Sequence, residues 1–269
     1  MHKNVKTVIF DLDGTVYQNT TFHSDYLHFL VEDTAWVNWE APLIEFVDSV
    51  FAGKRLVMNR FYQTVQVKPE TPDEFFAMLE ESLCPPLSYE EALNSRDIIY
   101  LGDAWAVVTL IGETLGLLAG ERRDLIYRRA RRRMEEEGMG GSIVLKTAIS
   151  DLSKRCNVIL MSNSYEETAQ EFLRQLGYND LFPLICSSAN KPFDMIRKLE
   201  QIDPAIFEQP ETVISIGDHA YNDLMPIQQK GGRTVWLNPF PNIERPVCDV
   251  EVETLDELAG YLTTLTGIL

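Results

Sequence analysis

The chain has 269 residues, 45% of them hydrophobic, with a formal net charge of -17. That is enough for a sizeable core in one large or two smaller domains, and the acidic balance excludes a general nucleic-acid or anionic-membrane binder, which needs a basic footprint. An anionic ligand would have to meet a positive field made locally, from a metal ion, a Lys and backbone N–H groups.

In chain order, the first element is Val8-Ile9-Phe10, an apolar run that reads as a short buried strand, followed by Asp11-Leu12-Asp13-Gly14-Thr15-Val16-Tyr17. Strand side chains alternate, so Asp11 and Asp13 leave the strand on the same face, and two close anions call for a cation. Mg²⁺ suits such a pair, because it takes hard oxygen ligands and is usually held by one or two carboxylates plus a substrate phosphate. The same residues also suit a surface turn, and the motif alone does not separate the two.

From residue 18 to about Gly141 the pattern reads as helix after helix with no convincing strand. Thr71-Pro72-Asp73-Glu74 and Ser88-Tyr89-Glu90-Glu91 carry capping-box signals, Asp103 can cap a helix running to Gly120, and Glu121 to Glu137 forms another that stops at Gly138. Tyr26, Phe29, Trp36, Trp39 and Phe46 recur at helical spacing and are expected in a core. His23 and His28 lack a third ligand nearby. The arginines from Arg122 to Arg133 spread around their helix and are expected on a solvated or partner-contacting face.

Beyond Gly138-Met139-Gly140-Gly141 helices and strands alternate. Helices are expected at Ile143 to Lys154, Tyr165 to Leu176, Phe193 to Gln201, Asp223 to Lys230 and Leu255 to Leu265, and strands at Asn157 to Met161, Leu184 to Cys186, Val213 to Ile216 and Arg233 to Leu237. Such alternation predicts a doubly wound parallel α/β sheet. Residues 1–17 and 142–269 form this core, and residues 18–141 are an all-helical insertion leaving the sheet at its carboxyl edge, where open α/β folds bind ligands and where it is placed to act as a lid.

Three further stretches end strands at that edge. Ser162-Asn163 opens a helix, where a hydroxyl and N–H groups bind phosphate oxygens. Lys191-Pro192 offers a mobile cation. Gly217-Asp218 offers another hard oxygen ligand, with Asn222 and Asp223 able to hold a metal's waters or the Lys by hydrogen bonds. Singly, each has an ordinary reading as a helix cap, a surface residue or a turn.

Taken in order, Asp11-Leu12-Asp13-Gly14-Thr15, Ser162-Asn163, Lys191-Pro192 and Gly217-Asp218-His219-Ala220-Tyr221-Asn222-Asp223 resemble the four motifs of the haloacid dehalogenase-like (HAD) superfamily, with the insertion in the position of a C1-type cap. The resemblance implies phosphoryl transfer through an aspartyl-phosphate. Asp11 would be the nucleophile and Asp13 the acid and base. Mg²⁺ would be held by Asp11, the Asp13 backbone carbonyl and Asp218, and Ser162, Asn163, Lys191, Gly14 and Thr15 would bind the phosphate, with Asn222 and Asp223 behind them. Dehalogenase members have no acid at the position of Asp13, so the resemblance points to a phosphatase of a small phosphorylated metabolite. A phosphomutase and a non-catalytic ligand-binding or regulatory module are the alternatives. His219 stands where a small or hydroxyl residue is usual and is expected to face solvent.

The four cysteines, Cys84, Cys156, Cys186 and Cys248, are scattered without a C-x-x-C pair, which fits a reducing compartment and no thiolate zinc site. Met1 to Lys6 leaves no room for a signal peptide before the first strand, and Trp105 to Leu118, the most apolar long segment, is interrupted by Glu113 and falls short of the ~20 residues that a bilayer span takes. A cytoplasmic protein without membrane or nucleic-acid partners is expected.

Overall fold

The structure is a computed structural model and describes residues 4–19, 21–138, 141–241 and 244–267. The chain divides into two compact units, one made of Met1–Gln18, Gly138–Pro239 and Val247–Leu269, the other of Asn19–Glu137 and Phe240–Pro246. In chain order, β1 (Thr7–Phe10) belongs to the first unit. The second unit follows with α1 (Phe22–Val31), α2 (Glu40–Phe51), β2 (Phe61–Gln63), α3 (Pro72–Glu81), α4 (Tyr89–Asn94), β3 (Ile98–Tyr100), α5 (Ala104–Thr114) and α6 (Glu121–Glu137). The first unit resumes with α7 (Ile143–Ser153), β4 (Asn157–Met161), α8 (Glu166–Leu176), β5 (Leu184–Cys186), α9 (Met195–Ile202), β6 (Val213–Gly217), α10 (Met225–Gln229), β7 (Arg233–Leu237), β8 (Val250–Val252) and α11 (Leu255–Thr266).

The first unit is built on a parallel sheet in the order β5-β4-β1-β6-β7-β8. Its central strands are apolar on both faces, as a sheet covered by helices on both sides requires, and Val8, Ile9 and Phe10 are buried. Register fixes where the chemistry emerges. Phe10 pairs with Leu160 of β4 and with Ile216 of β6, so the three strands end level. The Asp11 N–H continues the ladder to the Ile216 carbonyl at 2.9 Å. Asp11, Ser162 and Asp218 therefore leave the sheet at one edge, within two residues of their paired positions. The crossover order, with β1 flanked by β4 and β6, makes that edge a topological switch point.

The second unit is mainly helical, with α1 packed against α2, α5 and α6. Its capping signals start helices where expected, but the helix capped by Asp103 stops at Thr114, short of Gly120, and Glu74 accepts from the Glu70 N–H, which leaves the box at Thr71 half-made. Thr71 accepts from the Glu74 N–H, Asp103 accepts from the Ala106 N–H, and Ser88 and Glu91 close a full capping box. Tyr26, Phe29 and Phe46 are buried, the last stacked on Phe76 with ring centroids 4.3 Å apart. Trp36 and Trp39 are half-buried and pack edge to face on each other.

Four expectations need correction. The insertion is not purely helical, because β2 and β3 form a short antiparallel pair; three-residue strands are too short to show a period of two. The last parallel strand, β8, escaped notice for the same reason. Phe240–Pro246, expected in the core, belongs to the second unit: Phe240 stacks on Phe51, Asn59 donates to the Glu244 carbonyl at 3.0 Å, and Arg60 pairs with the Glu244 carboxylate at 2.6 Å. The arginines of α6 do not share one solvated face either. Arg131 is buried, its guanidinium 4.2 Å from the Trp105 ring centroid and 5.0 Å from that of Tyr127. Cations stack on aromatic faces because the ring quadrupole is negative there.

Candidate active site

The three level strand ends gather a buried charge cluster. Lys191 Nζ donates to Asp11 Oδ1 and to Asp223 Oδ1, both at 2.6 Å, and its side chain is 3% exposed. The expectation of a mobile cation is thus corrected: the ammonium is fixed between two carboxylates. Its loop is held by Asn163, whose carboxamide accepts from the Lys191 N–H at 2.7 Å and donates to the Lys191 carbonyl at 3.1 Å. The Asn163 side chain therefore serves the lysine.

Burial pushes the Asp11 carboxyl up to about 8; Lys191 opposes the rise, while the neighbouring Asp223 and Asp13 add to it. Burial alone would lower the Lys191 ammonium, yet Asp11 and Asp223 outweigh it and hold its pKa above the ordinary lysine value. The lysine stays charged throughout the physiological range.

Among the described residues, one group of potential metal-ligating side chains comes together: Asp11, Asp218 and Asp223, with one carboxylate oxygen from each lying within 4.8 Å of the others. All three residues are buried. Oxygen-only, anionic donors at this spacing fit a hard divalent ion such as Mg²⁺, whose octahedron spans about 4 Å between opposite ligands. Two glycines make the approach possible. Gly14, at φ 75°, carries no side chain where a Cβ would collide with the Asp218 carboxylate, and a Cβ on Gly217 would collide with that of Asp223. Trp236 of β7 donates its indole N–H to the Asp218 carbonyl at 2.9 Å, and Ser215 donates to the Asp223 carbonyl at 2.6 Å.

Asp223, read from sequence as a supporting residue, thus stands in the cluster itself. It arrives there through a wide, π-type turn at Ala220–Leu224, a form that often marks functional sites. His219 does not face solvent. It is buried and caps that turn, its Nδ1 accepting from the Asn222 N–H at 3.2 Å, while its own N–H donates to Asp223 Oδ2 at 3.1 Å. Asn222 is half-buried.

Asp13 occupies different surroundings. Its Oδ1 accepts from the Tyr17 hydroxyl, and its Oδ2 accepts from the Ser164 hydroxyl at 2.8 Å. Sequence reasoning assigned no role to Tyr17 or Ser164, although Tyr17 ends the first quoted stretch and Ser164 directly follows Ser162-Asn163. Ser162 is buried, its Oγ accepting from the Ser164 N–H at 3.0 Å, which leaves its hydroxyl hydrogen to donate elsewhere. Thr15 is fully buried beneath the turn.

The profile of the haloacid dehalogenase-like hydrolases matches residues 5–229. The chain belongs to that family. This HAD-like hydrolase matches no curated protein in sequence. Among solved structures it resembles the HAD-hydrolase YfnB of Bacillus subtilis, determined with magnesium bound, at 20% identity and a TM-score of 0.55, over 97% of this chain and 99% of that one. It also resembles the family protein SP0104 of Streptococcus pneumoniae, at 14% identity and a TM-score of 0.50, over 96% of this chain and 98% of that one. A Thermotoga maritima protein provisionally named a β-phosphoglucomutase matches at 14% identity and a TM-score of 0.50, over 97% and 99% of the two chains. At such identities these likenesses establish the fold of the HAD-like hydrolase.

Proposed function

We propose that this hydrolase is a Mg²⁺-dependent phosphatase that cleaves a small phosphorylated metabolite through an aspartyl-phosphate on Asp11. One observation carries the reading: Asp11 and Asp13, two residues apart and close enough for the Asp13 charge to raise the Asp11 carboxyl, are hydrogen-bonded by different kinds of donor. Asp11 faces Lys191 and the acidic group, whereas Asp13 faces two neutral hydroxyls. Two carboxyls in different surroundings are suited to different roles. A carboxyl that can deliver a proton serves the departure of an alkoxide and is superfluous for the departure of a halide, so a phosphate ester is the fitting substrate.

An Asp11 oxygen attacks phosphorus, the bond from phosphorus to the ester oxygen breaks, and the proton on the Asp13 carboxyl moves to that oxygen, releasing the alcohol. Water then attacks the phosphorus of the aspartyl-phosphate and gives a proton to Asp13. The bond from phosphorus to Asp11 breaks, phosphate departs, and both carboxyls are restored. Lys191 offsets the charge that Asp11 and the phosphoryl oxygens share, and the Ser162 hydroxyl donates to one of those oxygens. Asn163 holds the Lys191 backbone, and the Gly14–Thr15 turn lets Asp218 approach. Asp11, Asp218, Asp223 and the Asp13 carbonyl would hold Mg²⁺, which would supply the Lewis-acid charge that relieves repulsion between this acidic site and a phosphate. The magnesium in the YfnB structure supports the choice of ion.

The deciding experiment is a screen of phosphorylated metabolites with Mg²⁺, run beside Asp11→Asn. Phosphate release by the wild type alone, lost with EDTA and regained with Mg²⁺, is the expected result. Turnover by Asp11→Asn removes the aspartyl-phosphate from the mechanism, and an isomerised phosphate ester in place of free phosphate makes the enzyme a mutase. A cytoplasmic setting is part of the proposal, supported by the scattered free cysteines. Among the described residues no helix is long and apolar enough to cross a membrane.

A further inference from the structure

We propose that Tyr17 and Ser164 are positioning residues for Asp13, holding the acid/base carboxyl from both sides so that it is presented to the leaving oxygen in one rotamer; this rests on the phosphatase reading above. The arrangement is built from three separate parts of the chain in the first unit. Tyr17 is 2% exposed, and its ring packs edge to face on Phe172 of α8 at 5.5 Å between centroids, so the phenol cannot swing away without disturbing the core. The Tyr17 backbone is itself bridged to Asp13. Ser164 is 4% exposed and is fixed through its backbone, with its N–H donating to Ser162 Oγ at 3.0 Å and its carbonyl accepting from the Ser188 N–H at 2.8 Å.

Both donors are hydroxyls on rigid supports, and each addresses a different Asp13 oxygen. A carboxylate has about four lone-pair sites. A hydroxyl donor on each oxygen fixes the plane of the group. The same geometry ties the acid to the phosphate loop, because Ser164 is bonded to Ser162 on one side and to Asp13 on the other. A group held in this way loses little freedom in the transition state, which is how orientation contributes to rate.

The test compares two leaving groups. kcat/KM reports the steps up to alcohol departure, where an alkyl phosphate needs the Asp13 proton and 2,4-dinitrophenyl phosphate does not. For Tyr17→Phe and Ser164→Ala, assayed as full-length protein with Mg²⁺, kcat/KM on an alkyl phosphate is expected to fall by about tenfold, a fraction of what general acid catalysis contributes. On the dinitrophenyl ester it should change less than about twofold. Ser164→Thr, which keeps the hydroxyl, should regain most of the loss. Equal losses on both esters, or no loss on either, overturn the positioning role while leaving the phosphatase intact. A wild type inert on every ester overturns both readings. Should Tyr17→Phe fail to fold, the Ser164 pair decides alone.

Discussion

The charges of the first unit's strand ends and those of α6 in the second unit are organised in opposite ways. Around Asp11 a lysine and three carboxylates are drawn out of water into one cluster, with Lys191 bonded twice at 2.6 Å. Along α6 the charges are mostly exposed: Arg132 meets Glu136 at 3.2 Å with side chains 79% and 50% exposed, and Arg133 meets Asp25, Glu136 and Glu137 at its own surface. Buried ions lose several kcal/mol of hydration each, and their attraction does not reliably repay this. Exposed pairs cost little and contribute little. Ion pairing as such does not mark a site. What marks it is charge held where hydration has been given up, beside geometry that only glycine permits at residues 14 and 217.

The largest effect is expected of Lys191→Met. Removing the cation leaves Asp11 and Asp223 buried against each other, and breaking a buried pair from one side costs about 3–5 kcal/mol. Turnover should vanish, and the thermal midpoint should drop by many degrees, followed by circular dichroism or calorimetry. Added Mg²⁺ should raise the variant's midpoint more than the wild type's, because a divalent ion replaces the missing charge. A variant as stable as the wild type would show that the cluster holds little electrostatic tension.

A gentler probe is pH. With the Asp11 carboxyl raised from 3.8 to about 8, the folded state binds a proton that the unfolded state releases in this window. The stability of the metal-free protein should therefore fall as pH rises from about 4 to about 8. Mg²⁺ must displace that proton, so its affinity should rise over the same window. Asp11→Asn carries no such proton, and the difference between the two pH–stability curves isolates it from the histidines and surface carboxylates. Parallel curves would remove Asp11 from the linkage.

Much of this site could be read in the sequence because its parts follow apolar runs: Asp11, Ser162 and Asp218 each come one or two residues after a strand of valine, isoleucine, leucine or phenylalanine, and a parallel sheet brings such ends together. The parts that escaped depend on contacts that local patterns do not encode. Asp223 holds Lys191 by a hydrogen bond, as expected, but its place among the metal-ligating oxygens comes through a wide turn invisible to helical periodicity. Tyr17 and Ser164 meet at Asp13 across 151 residues of chain between Asp13 and Ser164. Glu244 finds Arg60 across 184 residues, which is why Phe240–Pro246 was assigned to the wrong unit. Lys191 read as mobile because nothing before it in the chain announces that two carboxylates will enclose it.

The smallest effects are expected on α6. Arg131 and Arg132 are adjacent in sequence and opposite in setting. Arg131 is buried over Trp105 and Tyr127, and a desolvated cation–π contact of that kind is worth about 2 kcal/mol. Arg131→Ala also leaves a gap under the indole, so its thermal midpoint should fall by several degrees. Arg132→Ala removes an exposed pair in which the arginine precedes the glutamate, the weaker order along a helix dipole. Its cost should stay within about 0.5 kcal/mol, a shift of at most about 2 °C in a protein of this size. Raising the salt to about 0.5 M should erase even that difference, since exposed charges are screened over a few ångströms. Arg131→Ala should keep its deficit in the same salt, because the lost contact is packing as much as charge. If the two variants instead melt together, burial does not separate these two arginines, and the distinction drawn between the strand-end cluster and the helix surface loses its energetic basis.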